Sequence, residues 1–68
     1  MKSISDVTGL VYEDEDCVFF RNYIQAAKYI SWGCRLIDLF TDSKDKLVFV
    51  FLKKDHEKYK LKWGSLNR

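Results

Sequence analysis

Leu47-Val48-Phe49-Val50-Phe51-Leu52 is an unbroken apolar run, bracketed by Asp45-Lys46 before it and Lys53-Lys54 after it. Its length suits a strand rather than a helix, and it is rich in β-branched and aromatic residues. A strand that is apolar at every position leaves neither face to water, so a central strand with packing above and below is expected. The 68-residue chain must supply that cover itself or borrow it. A domain of this size buries only ~60% of the surface its unfolded form exposes, and small cores are often supplemented by a disulfide, a metal or a second subunit. Aromatic residues, at 16%, offer large buried area each, and the 47% hydrophobic content argues for one folded domain, residues 1–68.

Working upstream, Asp42-Ser43-Lys44-Asp45 is a polar turn of hairpin length. Before it, Arg35 to Thr41 alternates loosely, with Leu36 and Phe40 on one side and Ile37 and Leu39 on the other. An antiparallel hairpin of residues 35–41 with 46–52 follows. Asp38 shares a face with Leu36 and Phe40 and therefore needs a partner or a solvated sheet end. Further back, Asn22 is a good N-cap and Gln25 stands three positions later, the capping-box spacing. The chain then reads as helix to Trp32, with Gly33 suited to the left-handed position beyond its end.

Projected at 100° per residue, Tyr23, Ile24, Ala26, Ala27 and Ile30 share one side of this helix, expected to lie on the sheet. Gln25, Lys28, Tyr29 and Trp32 form a second stripe at i, i+3, i+4 and i+7. Tyr and Trp anchor interfaces well, so this stripe is a candidate contact surface for a protein partner. The other reading is that the C-terminal segment packs over Tyr29 and Trp32. Both stay open on the sequence.

The ends are less strongly patterned. Residues 1–6 read as a loose start, and Val7–Tyr12 as a short edge strand interrupted by Gly9. Glu13-Asp14-Glu15-Asp16 makes a solvated turn, and Cys17-Val18-Phe19-Phe20 a second short strand able to pair with the first. At the other end, Tyr59 to Trp63 alternates as a strand would, whereas Tyr59, Trp63 and Leu66 at i, i+4 and i+7 behind Asp55 suit a helix. The need for cover on the central strand favours a helix over residues 55–66. The expected fold is α+β, in the order β(β)αββα, with helices near 22–32 and 55–66 against a small antiparallel sheet. Its second face is to be covered by the N-terminal residues or by another subunit.

The net charge of +2 does not by itself predict a nucleic-acid partner, although the acidic run and the Lys-rich C-terminal end are well separated. The opening residues lack the apolar core of a signal peptide, and no stretch approaches the ~20 apolar residues of a membrane span. A cytoplasmic setting with Cys17 and Cys34 reduced and acting as small buried hydrophobes is expected. No C-x-x-C pair or Gly-rich phosphate loop occurs, and His56, read as a surface residue of the last helix, is the sole histidine. The carboxylates of the acidic run have no apolar surroundings to separate their pKa values. No catalytic, metal or cofactor site is therefore expected, and the chain does not read as an enzyme.

The pattern Asn22-x-x-Gln25-Ala26-x-x-Tyr29-x-x-x-Gly33, then Asp38, then Leu47-Val48-Phe49-Val50-Phe51, then Tyr59-x-x-x-Trp63 resembles a family of small uncharacterised proteins from phages and prophages of Gram-positive bacteria. The resemblance covers residues 17 to 66 and leaves out the N-terminal end. It implies a phage origin, a bacterial host and a closing helix, but no activity. Two functions are carried forward. The first is a protein-binding module that occludes a surface of a host or phage protein, as small inhibitors of host defence systems (anti-CRISPR proteins among them) do, using Gln25, Lys28, Tyr29 and Trp32. The alternative is nucleic-acid binding through Lys53, Lys54, Lys58 and Lys62, with Tyr59 or Trp63 available for stacking. A homodimer through Val7–Tyr12 or the aromatic stripe is a further expectation.

Overall fold

The computed structural model describes residues 1–66. Leu47–Leu52 (β5) is the middle strand of a three-stranded antiparallel sheet, flanked by Cys17–Phe20 (β3) and Asp38–Thr41 (β4). The hairpin across the Asp42–Asp45 turn is present, but only Asp38–Thr41 of its first arm is strand. Arg35 and Leu36 lead in, and the Ile37 N–H already donates to the Val50 carbonyl at 2.9 Å. Asp42 organises the turn by accepting from the backbone N–H groups of Lys44 and Lys46 at 2.8 and 3.0 Å. Arg21 reaches it from the end of the opposite edge strand at 3.0 Å.

The alternation of β5 divides the core in two. Val18, Phe20, Phe49 and Phe51 face one way, where they meet Ala26, Tyr29, Trp32, Tyr59 and Trp63 of two helices. Cys17, Val50 and Leu52 face the other way, against Leu10, Tyr12 and Ile37. The helices are Tyr23–Ser31 (α1) and Lys53–Leu66 (α2), both on one side of the sheet. The N-terminal residues cover the other side, so the chain supplies both layers by itself.

That N-terminal cover differs from its expected form. Residues 1–6 are not loose: Lys2–Ile4 (β1) pairs antiparallel with Val11–Glu13 (β2), and the two strands make a separate small sheet. The strand expected over Val7–Tyr12 therefore begins at Val11. Ser5 decides this locally. Its hydroxyl accepts from the N–H groups of Val7 and Thr8, its carbonyl accepts from Gly9, and Gly9 takes φ of +74°, so residues 5–10 close a hairpin loop. Thr8 ties that loop to the main sheet by donating to the Ile37 carbonyl at 2.7 Å.

The acidic run is not the turn of a hairpin between residues 7–12 and 17–20. Asp14–Asp16 form one 3₁₀ turn that carries the chain from the small sheet to β3, which pairs with β5 instead. The run is also partly neutralised: the Met1 ammonium lies 3.0 Å from Glu15 and 3.5 Å from Glu13, and the Ser3 hydroxyl donates to Asp14.

Helix α1 starts at Tyr23 behind Asn22 as expected, whereas α2 starts early. Asn22 caps α1, accepting from Ile24 N–H and Gln25 N–H at 3.1 and 3.2 Å. Gln25 does not complete the box; its amide instead donates to the Tyr29 hydroxyl at 3.3 Å. Gly33 ends the helix with φ of +99°. Helix α2 begins at Lys53, two residues before the expected Asp55, directly from the last residue of β5. This abrupt reversal places Tyr59 and Trp63 over the sheet face that holds Phe51.

Asp38 finds its partner in the N-terminal hairpin. It is buried, and the Tyr12 hydroxyl donates to it at 2.6 Å while Leu39 N–H donates at 2.8 Å. Burial pushes its carboxyl up, but hydrogen bonds from Ser5, Tyr12 and Leu39 outweigh this and hold it below the ordinary 3.8. Burial, and then the carboxylate beside it, push Tyr12 up to about 12. The stability tied to Tyr12 is fully present below its unfolded value of 10.0 and is lost as pH rises toward about 12. The contribution of Asp38 is present above 3.8 and is lost as pH falls through its lower folded value. Tyr12→Phe should cost roughly 1–2 kcal/mol in urea denaturation at neutral pH and remove the Tyr12 share of the alkaline loss between pH 10 and 12. An unchanged alkaline limb in the variant would show that the hydrogen bond does not couple the two sheets.

Candidate functional site

The orientation of α1 determines which of its side chains a partner meets. Tyr29 is fully buried, boxed by Phe20, Trp32, Phe51 and Tyr59 at centroid distances of 5.3 to 6.1 Å. Its hydroxyl, already accepting from Gln25, lies 3.0 Å from His56 Nδ1. His56 packs edge-on to Phe20 at 5.2 Å. It is therefore half-buried in the interhelical core rather than a surface residue. Trp32 is half-buried, stacked on Tyr59 at 6.3 Å, and Lys62 Nζ sits 4.7 Å above its ring. Gln25 is half-buried as well, and only Lys28 of the expected contact stripe is exposed. The C-terminal segment covers Tyr29 and Trp32, which leaves Tyr29 no surface to offer.

The residues assigned to the sheet are consequently the ones left outside. Of Tyr23, Ile24, Ala26, Ala27 and Ile30, Ala26 alone is buried. Tyr23, Ile24 and Ile30 are 66%, 54% and 41% exposed. With Ala27 and Ser31 they form an arc of about 120° with no charged residue in it. Lys28 stands at one margin. At the N-terminal end the arc runs on to Leu47, which shares a shallow concavity with Tyr23, Arg21, Asp45 and Lys46. A second concavity is lined by Tyr23, Ile24, Ala27, Lys28 and Ser31. The periodicity that defined two stripes was visible in the sequence. Which stripe lay inside depended on where α2 docks, and that is a tertiary fact.

The lysines of the alternative reading divide by helical position. Lys54, Lys58 and Lys62 follow one another at i, i+4 and i+8 on one ridge of α2, while Lys53 lies off it. All four are exposed. Lys58 stands 4.0 Å from Asp55, and Lys60 pairs with Glu57 at 2.7 Å. Tyr59 and Trp63 are half-buried against the core, so neither presents an open ring for stacking.

The reactive side chains are spread apart. Burial pushes Cys34 up to about 11 and raises Cys17, so both buried thiols stay protonated at neutral pH and are poor nucleophiles. Among the described residues no group of three His, Cys, Asp or Glu side chains is placed to hold a metal ion, and no helix is long and apolar enough to cross a membrane. A cleft between the small sheet and the main one has an apolar floor of Leu10, Tyr12, Ile37 and Leu52. Its rim carries charges of both signs on Lys2, Glu13, Asp16 and Arg35. No family model, curated protein or solved structure matches the chain.

The division of α1 into a buried and an exposed stripe predicts sharply different substitutions. Tyr29→Ala should destabilise the fold by roughly 3–5 kcal/mol, whereas Ile24→Glu should stay within about 0.5 kcal/mol of the parent. Equilibrium urea unfolding of both variants checks this. A large loss at Ile24 would place that residue in the core.

Proposed function

We propose that this protein is a protein-binding module that acts by covering a surface of another protein, with the outward face of α1 as its docking surface. The observation that carries this reading is the uncharged arc of Tyr23, Ile24, Ala27 and Ile30, continued by Leu47, on a domain whose own core is already closed on both sides of the sheet. Apolar side chains contribute about 25 cal/mol per Å² when removed from water, and these remain available for that purpose. Apolar residues on a helix at i, i+1, i+4 and i+7 suit helix-in-groove or helix-on-helix docking. The family resemblance is consistent with a small phage protein that occupies a host or phage protein by contact alone.

Affinity capture with the immobilised chain tests the reading. A specific partner retained by the parent should be lost with Ile24→Glu and kept with Lys60→Gln on the far helix. Capture that is indifferent to Ile24 would rule the α1 face out. The second reading, nucleic-acid binding, is favoured by the ridge of Lys54, Lys58 and Lys62. It predicts a log–log salt slope of about −2 for single-stranded DNA, flattened by Lys58→Gln with Lys62→Gln. Absence of binding at ~50 mM salt would eliminate it.

A further inference from the structure

The cleft between the two sheets is lined by Leu10, Val11, Tyr12 and Glu13, which are β2 and the residue leading into it. Alternate side chains of a strand point to opposite faces, so a cleft that touches four consecutive residues runs along the edge of the strand. The register shows which backbone groups stand on that edge. Asp14 N–H donates to the Met1 carbonyl and Ser5 N–H to the Leu10 carbonyl, so Met1/Asp14, Ser3/Tyr12 and Ser5/Leu10 are the hydrogen-bonded pairs of the hairpin. Lys2/Glu13 and Ile4/Val11 alternate with them, and the N–H and C=O groups of Val11 and Glu13 therefore point away from β1. The Glu13 carbonyl is the first acceptor of the 3₁₀ turn that follows. Val11 N–H, Val11 C=O and Glu13 N–H are left on the cleft side with no hydrogen-bond partner among the described residues. We propose that this cleft is a binding site for an extended peptide segment, which joins the small sheet as a third strand beside β2.

Donors and acceptors at this spacing are matched by an extended main chain, the way sheet edges capture peptides. The cleft volume of about 330 Å³ is within the range of ligand sites. Antiparallel addition, the commoner pairing, fixes what each side chain of the segment meets. The residue opposite Tyr12 points inward as Tyr12 does, over the apolar floor at Leu52, and should be large and apolar. The residue before it stands opposite Glu13 and close to Asp16, so a basic side chain fits. Glu13 is already 3.5 Å from the Met1 ammonium, and Lys2 stands across from it, whereas Asp16 has no ion pair among the described residues. The residue after the apolar one lies opposite exposed Val11 and suits a β-branched side chain. The next comes opposite Leu10, at the end of the cleft where Arg35 stands two residues ahead of Ile37, again with no ion pair among the described residues. An acidic side chain fits there. The ligand is thus an extended segment reading basic, apolar, β-branched, acidic. Its site lies on the Val50 side of the sheet and does not rest on the docking face of α1.

An amide NMR titration of the full chain with the blocked peptide acetyl-Thr-Lys-Leu-Val-Glu-Thr-amide, taken to about 5 mM, tests this. The expected result is saturable shifts of the Val11 and Glu13 amides with a Kd on the order of 0.1–1 mM, while the Ile24 and Ile30 amides on α1 stay in place. N-methylation of the peptide's valine removes the donor to the Val11 carbonyl and should abolish binding. Replacing the peptide's glutamate by lysine should weaken binding by about threefold to tenfold, and Arg35→Glu in the protein should restore it. No saturable shift up to about 5 mM overturns the proposal, as does binding that is indifferent to N-methylation or that moves the α1 amides instead. Val11 and Glu13 shifts that follow the protein's own concentration with no peptide present also overturn it, because a second copy is then the occupant.

Discussion

Val50 and Phe51 are neighbours in β5, both fully buried, and they point to opposite faces of the sheet. Burying a side chain of this kind is worth roughly 1.5–3 kcal/mol, so neither face can be left to water in a domain of marginal size. The rest of the architecture satisfies that one demand. The helices close the Phe51 side, and the Lys2–Ile4/Val11–Glu13 hairpin closes the Val50 side. Polar contacts hold the hairpin in place where its apolar area is small: Tyr12 and Ser5 on Asp38, and Thr8 on the Ile37 carbonyl. Asp38 is a charge inside the sheet that makes the second layer specific, because removing the hairpin would leave it only the Leu39 N–H.

The direct passage from Leu52 into α2 has an equally large consequence on the other side. With no linker, the helix folds back across its own strand and brings His56, Tyr59 and Trp63 against Phe20, Phe51 and α1. Helix α1 then turns its larger aromatic stripe inward. Tyr29 packs among Phe20, Trp32, Phe51 and Tyr59, and Gln25 and His56 meet its hydroxyl, which satisfies the one polar atom that would otherwise make its burial costly. Tyr23, Ile24 and Ile30 are left outside as the complement of that choice.

The central strand, the β4–β5 hairpin, the Asn22 cap, Gly33 and the α+β class were all legible in the sequence, because each rests on local pattern or backbone chemistry. The closing helix was ambiguous by period, since Tyr59 to Trp63 also alternates as a strand, and asking what must cover Leu47–Leu52 tipped the reading. Three features were not legible. The β1–β2 hairpin depends on Ser5 gathering the backbone of Val7, Thr8, Gly9 and Leu10, which composition does not signal. The pairing of Cys17–Phe20 with β5 is non-local and overrides the nearer partner that the acidic turn suggested. The facing of α1 could not be read from α1, since both of its stripes are apolar enough to be core and the decision is made by Tyr59 and His56 some thirty residues away.

The same decision bears on function through electrostatics. The positive charge of α2 is partly met within the helix, by Glu57 on Lys60 and Asp55 near Lys58, and Lys62 is engaged over Trp32. A phosphate backbone would have to compete with these contacts. Among the described residues nothing comparable occupies the α1 arc: it holds no charge, and its side chains have no ring contact or hydrogen bond to give up except Ser31 to the Lys28 carbonyl. Covering it costs little desolvation of polar groups and releases ordered water from apolar surface, the term that dominates association. On that balance the apolar face of α1 is the one that can be covered at the smaller cost in polar contacts.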